Sequence, residues 1–410
     1  MRKTAGSQSL KRTNLLKEFP TSQRYINSHM KVRSLIAFGF LVVSGLSGSF
    51  ALPRIGYAQS APESLYFPFL GVTNLTLPVS AGTRRCCLLG TNFKMFGVIP
   101  GKQTWDPSDL GVHFYGGGTG EYNGNIATCH AGFIDTAHVR YAADLVLRYA
   151  LLIEQLGPEG GSLSLHPEAG RGKVRIAPLP EGVPFSEDYV IETAGSITID
   201  LTSWHEIATW YDFSEMPLYT EKGSSFSPED PFSNQLGVAL GKAALRLSNR
   251  RTISYNEAMT RLLKAYLLGA GALPESETTR ILDALESDAD FNPSVAESPW
   301  FDPRYQIPNY KRLIKRQTSV FGDVHPTRPA PGLLPESCKT ANAEETPNDP
   351  WTLNQAQLWD RYRIEIQLKG STKMGRLLKK SRPIISQNDF PAMIRQIEGE
   401  ILQEWESPLL

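Results

Sequence analysis

Cysteine is scarce in this chain, with four among 410 residues. No two stand in a C-x-x-C spacing, which removes the common structural zinc motifs. No G-x-S-x-G elbow occurs, so the usual serine-hydrolase turn is missing. The stretch YGGGTGEYNGNIAT lacks the Lys-Ser/Thr ending of a P-loop and the spacing of a dinucleotide fingerprint. It reads as a loop whose glycines let the backbone turn. Neither sign of charge is in excess, with 42 Lys plus Arg against 42 Asp plus Glu. A chain without a basic surplus is not expected to bind nucleic acid. The apolar run Leu35 to Leu46 is too short, and too rich in glycine and serine, for a membrane span, so none is expected in the mature chain. No internal repeat is visible.

What is present begins with a leader. Met30 opens MKVRSLIAFGFLVVSGLSGSFALPRIGYAQSAPES, with Lys31 and Arg33 as a basic region ahead of the apolar run. Ala58-Gln59-Ser60 forms a small-residue site before Ala61. This is the layout of a secretory signal peptide, with Met30 as the expected start and cleavage near Ser60. The expected organisation is a leader over 1–60, a main helical domain over 61–317, and a Pro-rich wrapping segment with a strand and terminal helix over 318–410. The mature protein is expected outside the cytoplasm, in the periplasm. Export into an oxidising compartment turns an even cysteine count toward disulfides. Adjacent cysteines bond to each other only with strain. Cys86 and Cys87 are therefore each expected to pair with Cys129 or Cys338, in one of two arrangements.

The periodicity predicts a mainly α fold of the α+β kind, a helical core with small β-hairpin elements and a Pro-rich irregular C-terminal region. A helix is expected from about Phe133 to Leu156, stopped by Gly157-Pro158. Its apolar face carries Ile134, Tyr141, Leu145, Tyr149, Leu152 and Leu156, with His138 among them. LSLHPEAGRGKVRIAP reads as a hairpin, and 186–212 as a helix despite the strand-like alternation of SITIDLT. Ser227 can cap a helix with Pro228 in its first turn and Glu229 and Asp230 on its dipole. Ser254 and Glu257 form a capping box for the next helix. Further helices are expected over about 276–287 and 390–406, and a strand at RYRIEIQLKG. The basic cluster from Lys369 to Arg382 reads as a solvated surface.

Chemistry concentrates in two stretches. In CHAGFIDTAHVR, Asp135 and His138 share a helix side, where the carboxylate can orient the imidazole or both can bind one metal. In SWHEIATWYDF, His205-Glu206 is half of the H-E-x-x-H zinc signature, with Thr209 where the second histidine would stand. His138 could supply that missing imidazole, and Glu229 or Asp230 a third ligand, although helix capping accounts for both acids equally well. Trp204, Trp210 and Tyr211 frame His205 as an aromatic wall. Arg140 can hold an anionic substrate group or pair with Asp144. The expected ligands are His138, His205 and Asp135 around a divalent metal such as zinc, with Glu206, His205 and Asp135 in the catalytic roles and Arg140, Trp204 and Trp210 at the substrate. The bland alternative is a buried histidine satisfied by the aspartate beside it. A free Cys129 at a helix start, with a histidine base, would instead give a thiol hydrolase or acyltransferase, which the cysteine parity argues against.

RRCCLLG at 84–90, ATCHAGFIDTAHVR at 127–140, SWHEIATWYDF at 203–213 and SSFSPEDPFSNQLGVALG at 224–241 together carry a resemblance. The chain resembles an exported bacterial family known as domain of unknown function 4056, over roughly residues 80 to 250. His130 stands where that family more usually has a basic residue. The resemblance implies that these stretches act together and brings no activity with it. The reading that follows is an envelope protein, expected to be a metal-assisted hydrolase of an ester or amide. Its substrate would be an envelope small molecule, lipid or cell-wall fragment. A non-catalytic envelope protein with a buried polar network is the alternative.

Overall fold

A computed structural model of the chain describes residues 104–211, 224–250, 253–286, 318–329, 331–339, 351–369 and 384–406, the short strands at 94–95 and 99–100, and the single positions Phe213, Lys222 and Met374. The leader, Cys86 and Cys87 lie outside the described residues, as does all but Lys369 of the basic cluster. No described helix is long and apolar enough to cross a membrane.

Three long helices make the centre: α1 (Thr136–Leu156), α2 (Glu187–Trp210) and α3 (Asp230–Arg250). Helix α1 packs on both others and most extensively on α3. It is buried on nearly every side, from Thr136 to Glu154, as expected of a helix at the middle of a core rather than on its surface. Close approach of α3 depends on Gly237 and Gly241. A Cβ at Gly237 would stand 2.3 Å from the Val139 carbonyl oxygen, and one at Gly241 would stand 2.9 Å from Ala143 Cα. The helices α4 (Tyr255–Gly269) and α5 (Glu275–Glu286) follow, α4 against α3. Ser254 caps α4 by accepting the Glu257 amide, as the capping-box spacing predicts. The terminal α7 (Phe390–Glu406) lies against α2.

The β elements are small and antiparallel. Strands β1 (Lys94–Met95) and β2 (Ile99–Pro100) pair, as do β3 (Asn125–Ala127) and β4 (Phe133–Asp135). The largest sheet has the order β10-β9-β6-β5, built from β5 (Gly161–Ser164), β6 (Gly170–Ile176), β9 (Tyr362–Leu368) and β10 (Ile384–Ile385). The hairpin and the RYRIEIQLKG strand expected from alternation are therefore neighbours, with Val174 opposite Ile364. Within the Pro-rich stretch, β7 (Gly322–Val324) pairs with β8 (Leu353–Gln355), and a short helix α6 spans Glu336–Lys339. The mainly α fold with small β-hairpins is observed.

Three local expectations are corrected. Helix α1 starts at Thr136 rather than Phe133, because Phe133–Asp135 pairs with β3 and Asp135 caps the helix. Ser227 does not cap α3; its hydroxyl donates to Glu229 Oε2 at 2.6 Å. Cys129 is bonded to Cys338, so neither is a partner for Cys86 or Cys87. The turn between β3 and β4 holds Cys129 by amide donation to the Gly271 carbonyl, while α6 buries Cys338 beside Phe133, Leu273 and Ile281. That bond also removes the thiol-nucleophile reading, which needs a thiolate. Proteolysis of unreduced protein should release the Cys129 and Cys338 peptides as one linked species, separated only by reductant; mass spectrometry reads this directly.

Candidate metal centre

Asp135 ends β4 and caps α1, so its carboxylate sits at the positive end of the helix. Oδ1 accepts from the Ala137 amide at 2.7 Å and the His138 amide at 3.4 Å. It therefore meets the His138 backbone, and its carboxylate also lies within 4.8 Å of the His138 ring nitrogen that faces it. Its own amide donates to Ser233 Oγ at 2.9 Å, tying this corner to α3.

His138, one turn into α1, faces α3. Nδ1 lies 3.1 Å from Asn234 Oδ1 and Nε2 lies 3.3 Å from Asp230 Oδ1. An amide oxygen only accepts, so Nδ1 carries the proton there and the Nε2 lone pair of a neutral ring is turned toward Asp230. A lone pair facing a carboxylate oxygen is repulsive unless a proton or a cation lies between them. Asp230, Asn234, Gly237 and Gly241 follow the spacing of one helix face. The same small residues that let α1 and α3 approach therefore bring Asp230 to His138.

Asp135, His138 and Asp230 each offer a ligand atom, and these atoms all lie within 4.8 Å of one another. Asp135 and Asp230 are fully buried and His138 is 6% exposed. Two more buried carboxyls adjoin them. Glu206 accepts from the Phe226 amide. Phe226 has a left-handed backbone, with φ 55°, unusual for a bulky residue and a form of strain that concentrates at functional sites. Glu229 accepts from Ser227 through one oxygen, and its other oxygen has no hydrogen-bond partner among the described residues. Burial pushes the Glu229 carboxyl up to about 8, and the charges of Asp135 and Glu206 add to the effect against the lowering bond from Ser227. Asp230 is raised well above the carboxylate range by burial, then by Glu229, Glu206 and Asp135. Mutual repulsion among desolvated carboxylates is the electrostatic condition that a bound cation relieves.

The remaining expected site residues lie elsewhere. His205 is not in the three-residue group. Its Nδ1 lies 3.4 Å from Glu168 Oε1 and its ring meets Phe213 edge-on. The two histidines are thus held by separate partners, because successive side chains on α2 diverge by about 100° and Glu206 takes the direction toward α3. Trp204 lines a cleft of about 280 Å³ with Tyr141, Tyr149, Glu168 and Leu201. Its indole donates to the Glu168 carbonyl and stacks on Phe390. Trp210 is fully buried and donates to Glu400 at 2.8 Å, as a core residue does. Arg140 is 1% exposed and donates to the carbonyls of Tyr122 and Leu110 and to Asn123 Oδ1. It anchors the glycine-rich loop rather than a substrate. Asp144 takes His113 Nε2 at 2.9 Å and the Gly116 amide at 2.8 Å.

Two participants carried weak signals or none. Asn234 stands four residues after Asp230, a helical spacing that places both on one side. Nothing in the sequence couples Glu168 to His205 across a hairpin turn.

The family described as Protein of unknown function (DUF4056) matches residues 74–329, and the chain belongs to it. All four buried carboxyls and His138 fall inside that span. No curated protein and no solved structure matches the chain.

Proposed function

We propose that this chain is an exported protein of the bacterial envelope that holds a divalent cation between Asp135, His138 and Asp230 and uses it to hydrolyse an ester or amide. The observation that carries the reading is the convergence of those three ligand atoms within 4.8 Å in a buried corner. One imidazole and two carboxylates make an oxygen-rich donor set suited to Mn²⁺ and also accepted by Zn²⁺. A cation held by these three residues would act as a Lewis acid that makes water a better nucleophile near neutral pH. Glu206, held by the Phe226 amide, would take the proton. Export rests on the leader sequence, and an envelope lipid or cell-wall fragment as substrate follows from that location.

Purified protein is expected to contain the ion. Adding Mn²⁺ or Zn²⁺ at about 100 times its dissociation constant should stabilise the fold by ~2.7 kcal/mol. Asp230→Asn and His138→Ala should abolish that gain, read as the metal-dependent rise in melting temperature. A wild-type chain that neither carries nor responds to either ion sinks the reading. Ion-dependent cleavage of chromogenic esters or amides tests the catalytic half. The near-complete burial of all three ligands favours a second reading, in which the cation only ties α1 to α3. Stabilisation by metal with no turnover on such substrates would establish it.

A further inference from the structure

We infer that the same corner binds a second divalent cation, with Asp230 shared between the two and Glu229 as the ligand of the second. The inference rests on the metal centre proposed above and extends it. The group Asp135, His138 and Asp230 accounts for two carboxylates. Glu206 and Glu229 remain, 2% and 0% exposed. Neither they nor Asp230 form an ion pair with lysine or arginine among the described residues. One divalent ion engages two of the four carboxyl groups and leaves two more buried acids beside it. A buried acid is either kept neutral or, when ionised, paired or coordinated to metal.

Two of these acids carry buried oxygens without a hydrogen-bond partner among the described residues. Asp230 presents Oδ1 to His138, while its Oδ2 has no hydrogen-bond partner among the described residues. Glu229, the preceding residue, is anchored at Oε2 by Ser227 and leaves Oε1 without a partner. The turn carrying the Phe226 amide brings Glu206 to the same loop, three residues from Glu229. A carboxylate with two oxygens can bridge cations about 3.5 to 4 Å apart, as in two-metal sites generally. Glu206 then supplies the outer negative charge that such a pair requires.

The test is the stoichiometry of Mn²⁺ on the full chain, by equilibrium dialysis with elemental analysis, together with electron paramagnetic resonance of the loaded protein. Two ions per chain with an exchange-coupled spectrum are expected. Two ions giving only the six-line signal of isolated Mn²⁺ place the second elsewhere and overturn the inference. One ion per chain also overturns it while leaving the single-cation reading intact, and none overturns both. Glu229→Gln keeps the size of the side chain and its contact with Ser227. It should bind one ion per chain and show the isolated signal. Retention of a coupled pair in that variant would overturn the assignment of Glu229. The wild-type measurements stand even if the variant does not fold.

Discussion

Gly237→Ala is expected to destabilise the protein by about 3 kcal/mol, the upper part of the usual range for over-packing a tight core. The added methyl would stand 2.3 Å from the Val139 carbonyl oxygen and 2.8 Å from Ala142 Cβ. Real Cβ atoms do not approach a backbone oxygen that closely, so α1 and α3 must separate. Alanine is the better helix former by roughly 0.8 to 1 kcal/mol, which opposes the clash and falls short of it. Since Asp230 and Asn234 lie on the same face as Gly237, the shift should also weaken cation binding without touching a ligand. Denaturant melts of wild type and variant measure the first effect, and Mn²⁺ titration the second. An unchanged melt would mean that the helices are not packed backbone to backbone at this crossing.

The second large effect is a fall in stability with rising pH, traced to Asp200. This carboxyl is buried on α2, where it accepts from Tyr362 Oη at 2.7 Å and from Trp359 Nε1 at 2.9 Å. Desolvation pushes it from the ordinary 3.8 up to about 7, against the lowering effect of those two donors. The folded chain therefore keeps a proton that the unfolded chain has already lost between these two values. Stability is fully present below about pH 4, declines as pH rises, and levels off above about pH 7. A displacement of that size corresponds to about 4 kcal/mol. Asp200→Asn should flatten this part of the profile, since the amide oxygen still accepts from Tyr362. The buried acids at Glu229 and Asp230 tilt the curve in the same direction in both proteins, so the difference between them isolates Asp200. Urea melts from pH 4 to pH 8 are the measurement; parallel curves for the two proteins would refute the assignment.

Asp200 also shows how a long-range contact escapes a sequence reading. Its position within SITIDLT is a strand-like alternation, and only the helix α2 turns it inward to meet Tyr362, 162 residues later. Tyr362 itself was legible as the start of an alternating strand. That Ser196 on α2 bonds to its hydroxyl at 2.8 Å was not. The same division runs through the corner of buried carboxyls. Asp135 and His138 stand out by local spacing, and Asp230 appears as an acid at a helix start. A helix cap and a metal ligand ask for the same residue type in the same place, so the sequence could not separate them for Asp230. His205-Glu206 stands out as a pair, yet adjacent helical positions point apart: Glu206 adjoins the carboxyl cluster and His205 meets Glu168.

Amino-acid order alone determined the helical class, most element boundaries to within a few residues, and the short stretches in which acids and histidines gather. These are properties of nearest neighbours: periodicity, capping and turn chemistry act over three or four residues. The tertiary structure alone decided that Cys129 joins Cys338, that Arg140 holds a loop, that His205 meets Glu168, and that Asp230 gathers with Asp135 and His138. Each of these depends on which helix faces pack together. That choice is made by steric fit across the whole core, at Gly237 and Gly241 above all, where the absence of a side chain lets two backbones meet.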